Sequence, residues 1–328
     1  MKIKYSFILL LTLIISACEN NTQTVDETKN DPPQPVVKVP AFNEDSALSF
    51  VKKQVDFGPR VPSTPAHEKC AQYIISTLKS YGLKVEVQDG VVKTFDNKTH
   101  NIKNIIASVN PDRQNRVFVS AHWDTRPFAD QDTQDKEKPI DGANDGGSGV
   151  GVLLELARQF SKEKPTAGID LIFFDIEDYG QPQDSKFPEM EDSYCLGSQY
   201  WANHKDPSYT AKYGINLDMI GGKNARITQE GTSLYYAPGI LEKVWSTASN
   251  LGFGNYFVKD KSAPITDDHS YVNELVKIPT IDIIDNDPST KSNFYKHWHT
   301  HQDNFENIDK NSLKAVGQTL MQVLYNEK

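Results

Sequence analysis

The chain has 328 residues, 38% of them apolar, and a formal net charge of -9 from 35 Lys and Arg against 44 Asp and Glu. That length can bury a sizeable core and lies within the range of one α/β domain. The acidic balance, with no basic stripe, argues against nucleic acid as a partner and suits a neutral or cationic peptide better.

At the N-terminus, Lys2 and Lys4 precede an apolar run over residues 7–15 and the small residues Ser16 and Ala17, the pattern of a secretory signal with its cleavage site. The run is too short to span a bilayer comfortably. Cys18 follows directly, as in a bacterial lipobox, so residues 1–17 are expected to be a lipoprotein signal peptide and Cys18 the lipidated first residue of the mature chain. An ordinary signal peptide with an incidental cysteine is the alternative. Residues 18–41 are rich in Asn, Thr, Asp, Pro and Lys without apolar periodicity, which predicts a disordered tether. The protein is therefore expected to be exported and lipid-anchored in the cell envelope, on the periplasmic side of a membrane. Residues 42–328 form the globular part, with no internal repeat or second linker. Cys70 and Cys195 remain after processing, and in an oxidising compartment they could pair or stay buried as thiols.

Cys70, Ile74, Leu78 and Tyr81 recur at helical spacing over residues 65–81, with Gly82 as a stop. Strand-like runs follow at residues 85–92, 105–109 and 117–121. Over residues 148–162, Val150, Leu153, Leu154, Ala157 and Phe160 mark one face of a strong helix. Residues 169–176 read as a largely apolar strand, followed by a loop and a short helix through Trp201. Further buried strands are predicted at 213–217 and 280–284, and helices at 239–250 and 313–325. This alternation predicts a single α/β domain with a central, twisted, mostly parallel mixed sheet flanked by helices.

The polar residues fall at informative places. His122 and Asp124 follow the strand over 117–121, Glu177 and Asp178 follow the strand over 169–176, and Asp218 follows that over 213–217. In open α/β sheets the ligand crevice lies beyond the carboxyl ends of the strands, so these titratable side chains are expected on one rim. Near the C-terminus KHWHTHQDN, residues 296–304, places His297, His299 and His301 at alternate positions, in a chain with 8 histidines. Alternating residues of an extended run share a face, which makes a three-histidine site conceivable. Together HWD (122–124), GANDGGSG (142–149), DIED (175–178), NLDMIGG (216–222), DDH (267–269) and WHT (298–300) offer carboxylates and imidazoles, the ligand mix of catalytic zinc. A catalytic zinc needs about three protein ligands and one open position, so the surplus must supply a base, substrate clamps or a second metal site. Gly146, Gly147 and Gly149 lack the order of a nucleotide-binding fingerprint and read as room for close backbone approach.

Those motifs, in that order, resemble the M28 metallopeptidase superfamily and more closely the glutaminyl cyclases, zinc-dependent glutaminyl-peptide cyclotransferases, from FGPRVPSTPAH (57–67) to WHTHQDNFENID (298–309). The resemblance implies a zinc aminopeptidase-like α/β sandwich with one Zn2+ held by Asp145, Asp178 and His299. It implies that Glu177 is general base and acid, that Asp218 and Asp267 belong to a hydrogen-bonded group of carboxylates near the substrate amine, and that Trp298 and Phe294 shape the pocket. On this reading His297 and His301 are bystanders, and His301 and Asp303 form loop hydrogen bonds. The chain would convert N-terminal Gln of peptides and exported proteins to pyroglutamate with release of ammonia, and it is expected to be a monomer.

Two departures stand out. Asp178 occupies a position where many family members have Glu. The pocket tryptophan that animal members carry after the catalytic Glu is missing from YGQPQDSKFPEMEDSYC (179–195), leaving Tyr194 or Trp201 as substitutes. His122 and Asp124 could support the ligands from behind or join a second metal. In two-zinc aminopeptidases of the superfamily the positions of His122 and Asp218 bind that second ion, which makes a dinuclear aminopeptidase the alternative. A non-catalytic binding protein on the same fold is more remote, because neither ligands nor base are missing. Trp298 beside His299, together with Asp267, Asp268 and His269, favours the cyclase.

Overall fold

The computed structural model describes residues 38–328. The expected signal peptide, the lipidated Cys18 and most of the tether lie outside them. Asn43 caps α1 (Glu44–Val55), a helix the sequence reading did not assign, by accepting the Ser46 amide. Thr64 caps α2 (Pro65–Ser80) in the same way through the His67 amide. Then come β1 (Lys84–Lys93), β2 (Thr99–Val109), β3 (Arg116–His122), α3 (Gly147–Lys162), β4 (Gly168–Phe174), α4 (Leu196–His204) and β5 (Gly214–Asp218). After these lie β6 (Ile227–Gln229), α5 (Gly231–Tyr236), α6 (Pro238–Asn250), β7 (Phe257–Lys261), α7 (Asp268–Tyr271), β8 (Thr280–Ile284) and α8 (Lys310–Tyr325).

The main sheet has the order β1-β2-β4-β3-β5-β8. β1 and β2 join antiparallel at one edge, whereas β4, β3, β5 and β8 run parallel. The predicted mixed, mostly parallel α/β sheet is what forms. Pleating divides each buried strand between two cores. Val117, Val119 and Ala121 of β3, Ile215 and Leu217 of β5, and Ile281 and Ile283 of β8 belong to the large cluster with α1, α2, α3, α6 and α8. Phe118, Ile172, Phe174 and Trp201 form a smaller cluster on the opposite face, where α4 and α7 pack.

On that second face the alternation also delivers Ser120 and His122, Asn216 and Asp218, and Asp282. A buried polar ladder results: Ser120 donates to Asn216 Oδ1 (2.8 Å), and Asn216 Nδ2 donates to Asp267 Oδ2 (3.0 Å) and Asp282 Oδ1 (3.3 Å). Parallel strands are ordinarily apolar on both faces. Here the polar rungs climb toward the carboxyl ends of the strands, where the functional residues gather.

Candidate active site

The connections that follow β3, β4, β5, β7 and β8 meet at that rim. His122 is the last residue of β3 and Asp218 the last of β5. Asp145 stands just before α3, in a turn closed by Gly146 at φ +80°, where a Cβ would come within 2.6 Å of the Asp124 carbonyl and 3.0 Å of His122 Cε1. Only glycine lets the two segments approach so closely. Glu177 and Asp178 follow β4, and the turn that leads into them sends their side chains to different partners. The strand ends at Phe174, and Ile176 turns the chain through the left-handed region at φ 51°. Glu177 then faces His122 and Asp178 faces His299.

Residues 296–304 are not an extended strand either. They form a tight turn with His299 at φ 55°, so the alternation of histidines does not place them on one face. His299 is buried, stacked on Trp298 with ring centroids 3.7 Å apart. His301 Nδ1 instead meets Asp132 at 2.9 Å, and His297 stands edge-on to Tyr295. Such non-glycine left-handed residues each cost on the order of 1–3 kcal/mol and persist where surrounding structure holds them.

Asp145, Asp178 and His299 bring one donor atom each within 4.8 Å of one another. His299 Nε2 lies 3.0 Å from Asp178 Oδ1 and 3.8 Å from Asp145 Oδ2. The second oxygens, Asp145 Oδ2 and Asp178 Oδ2, are buried without a hydrogen-bond partner. Two buried carboxylate oxygens without donors are costly unless a cation joins them, so this set fits a divalent metal with the oxygen and nitrogen donors that zinc accepts.

Behind each of these residues stands another aspartate. Asp303 accepts the Asn144 and Asp145 amides at 2.8 and 3.0 Å. Asp124 accepts the Glu177 and Asp178 amides at 3.0 and 3.2 Å, which is where the structure places this candidate. Asp130 Oδ1 lies 3.1 Å from His299 Nδ1 and is held by Arg126 Nε at 2.6 Å. Asp130 stands on the Nδ1 side of the imidazole, and Nε2 is the nitrogen turned to the cluster. The sequence reading gave Asp303 only a loop bond and missed Asp130 and Arg126. Both of the latter sit in the long β3–α3 connection, where no periodicity marks them.

His122 joins a second group. Its Nε2 lies 3.0 Å from Asp145 Oδ1 and 3.3 Å from Asp218 Oδ1, and these three residues also place donor atoms within 4.8 Å. Asp145 is thus shared by both groups. Burial, together with the charges of Asp145 and Asp267, pushes the Asp218 carboxyl up to about 7 against the pull of His122. Burial likewise holds Glu177 well above the usual carboxylate range; His122 opposes this and Asp178, Asp267 and Asp268 reinforce it. Asp218 and Asp267 were expected to hydrogen-bond within one group. Among the described residues Asp218 bonds His122 instead, while Asp267 bonds Asn216 and the Asp268 amide. Their coupling is electrostatic.

The rim opens into a cavity of about 500 Å³. Asp130, Asp145, Glu177, Asp178, Asp218, Asp267 and His299 line its polar end; Met219, Ile265, Ile284, Phe294 and Trp298 form an apolar wall. Phe294 and Trp298 pack against each other at 4.9 Å. Tyr194 also lines the cavity. Trp201 does not; it is buried against Phe118 and Phe174 on the second sheet face. Cys70 and Cys195 are both buried free thiols.

The model of peptidase family M28 matches residues 104–324 of this chain. Among solved structures, glutaminyl cyclase of Tannerella forsythia is 48% identical with a TM-score of 0.86, over 88% of this chain and 100% of that one. A Zn-dependent exopeptidase from Parabacteroides distasonis is 51% identical with a TM-score of 0.86 over the same shares. Aminopeptidase YwaD of Bacillus subtilis (strain 168) is 27% identical over 244 residues, 71% of this chain. The match spans only 46% of that aminopeptidase's length. With the family match running from β2 into α8 and taking in every part of the site, the chain belongs to peptidase family M28.

Proposed function

We propose that the protein is a glutaminyl-peptide cyclotransferase, an acyltransferase that closes an N-terminal Gln to pyroglutamate and releases ammonia. The observation that carries this reading is a single cavity lined by Glu177, by the Asp145, Asp178 and His299 cluster and by the apolar side chains of Trp298 and Phe294. Kinship at 48% identity with a glutaminyl cyclase supports it. Asp145, Asp178 and His299 would hold one zinc, which when bound polarises the γ-carbonyl of the substrate as a Lewis acid.

Glu177 takes a proton from the attacking α-amine as the ring C–N bond forms and delivers it to the side-chain amide nitrogen, whose C–N bond then breaks to release ammonia. That double duty requires a carboxyl that can both hold and release a proton near neutrality, which burial of Glu177 promotes. Asp218 and Asp267 hold the amine at the polar end. No water is consumed, and Trp298, Phe294 and Ile284 pack on the glutamine side chain and exclude it. Trp298→Ala is expected to raise KM by roughly tenfold, the worth of about one buried aromatic contact, with zinc content unchanged. Equal loss of zinc and substrate binding would assign Trp298 to structure alone.

A second reading, the dinuclear aminopeptidase, is favoured by the His122, Asp145 and Asp218 group. Two assays on residues 42–328 separate the readings. The cyclase yields ammonia and a product lighter by one ammonia from a Gln-initiated peptide, and no free amino acid from a Leu-initiated one. Hydrolysis without cyclisation would overturn it and make His122 and Asp218 ligands of a second ion. We place the enzyme in the cell envelope, anchored through Cys18 by the lipobox pattern and acting as a monomer on exported proteins whose new N-terminus is Gln. Acylated Cys18 in the mature protein, found by mass spectrometry, tests the anchor.

A further inference from the structure

Cys195 begins α4 in the left-handed region at φ 58°, a conformation that a non-glycine residue holds at a cost. Two backbone bonds keep it there. The Cys195 amide donates to the Glu177 carbonyl at 2.8 Å, and the Leu196 amide to the Ile176 carbonyl at 3.0 Å. The turn that carries Glu177 is therefore stitched to the start of α4. From this position the Cys195 thiol donates to Glu177 Oε1, with Sγ 3.1 Å away, and the residue is fully buried. Glu177 Oε2 points elsewhere, 3.9 Å from His122 Nδ1. A buried cysteine is ordinarily a small hydrophobe with no need of an acceptor. A buried carboxylate, by contrast, needs a donor, and this thiol is the donor nearest to Oε1 among the described contacts.

We propose that Cys195 is a positioning residue for the general base: its thiol fixes Oε1 of Glu177 and leaves Oε2 as the oxygen that exchanges the proton. This rests on the role given to Glu177 above.

The test uses Cys195→Ala and Cys195→Ser in the zinc-loaded enzyme with a Gln-initiated peptide. Cys195→Ala should lower kcat by roughly tenfold, the worth of one hydrogen bond to a charged group, with KM and zinc content unchanged. Cys195→Ser keeps a donor in place and should recover kcat to within about threefold, in line with the bond's modest net worth. A wild-type kcat in Cys195→Ala overturns the proposal, and so does equal loss in both variants, which would mean packing alone. A second measurement stands apart from activity. The S–H stretching band isolated by subtracting the infrared spectrum of Cys195→Ala from that of the wild type should shift to higher frequency in Glu177→Ala. A band that does not move overturns the proposal even if the enzyme is a cyclase. If the wild type releases no ammonia, the cyclase reading fails by itself and the infrared comparison still decides whether Cys195 binds Glu177.

Discussion

Glu177→Gln is expected to retain zinc and to lower kcat by roughly 10²–10⁴, the usual worth of a positioned general base. The substitution keeps the shape of the side chain, and its amide oxygen can still accept from Cys195 Sγ, so the loss isolates proton transfer from packing. Asp178 keeps its own supports in this variant, because its amide bonds Asp124 and its carbonyl accepts from Arg126 Nη1 at 3.0 Å. Metal content should therefore stay at the wild-type ratio by mass spectrometry. Full turnover in Glu177→Gln would sink the base assignment, and joint loss of zinc and turnover would move Glu177 into the ligand set.

His299→Ala should have the opposite signature, with zinc lost before any question of turnover arises. The imidazole is the one nitrogen donor of its group, and its removal leaves only two carboxylates there. Asp130→Asn provides the graded comparison. It removes the charge that faces His299 Nδ1 and should weaken zinc binding by about 10–100-fold, as loss of a partner behind a ligand commonly does. Chelator competition measures both, with His299→Ala expected to fall below the affinity of Asp130→Asn. If His299→Ala binds zinc as tightly as the wild type, the metal lies outside the Asp145, Asp178 and His299 group, and the mononuclear reading is withdrawn.

Much of the architecture could be read locally. Residues 280–284 were expected as a strand and form β8 over the same bounds, and the apolar face over 148–162 becomes α3 with one residue added. Burial on one or both faces imposes a repeat on the sequence, and that repeat survives in a single chain. Of the missed elements, β6 with three residues and α7 with four are too short to show it, whereas α1 carries it, burying Ala47, Val51 and Gln54, but adjoins a proline-rich segment that hides its start. The carboxyl-end rule likewise puts His122, Glu177, Asp178 and Asp218 on one rim from the sequence alone.

By itself, then, the sequence determined the α/β class, the strand ends and the residue types that gather there, because hydrophobic periodicity and the direction of parallel strands are local properties. Only the tertiary structure decided which of three alternating histidines is buried, that Trp201 belongs to the core and Tyr194 to the cavity, and which aspartate supports which neighbour. Asp303 meets the Asn144 amide across 159 positions of chain, and Cys195 meets Glu177 across a loop that ends in a left-handed residue. Such pairings depend on loop conformations held by distant contacts, and no repeat within either segment encodes them.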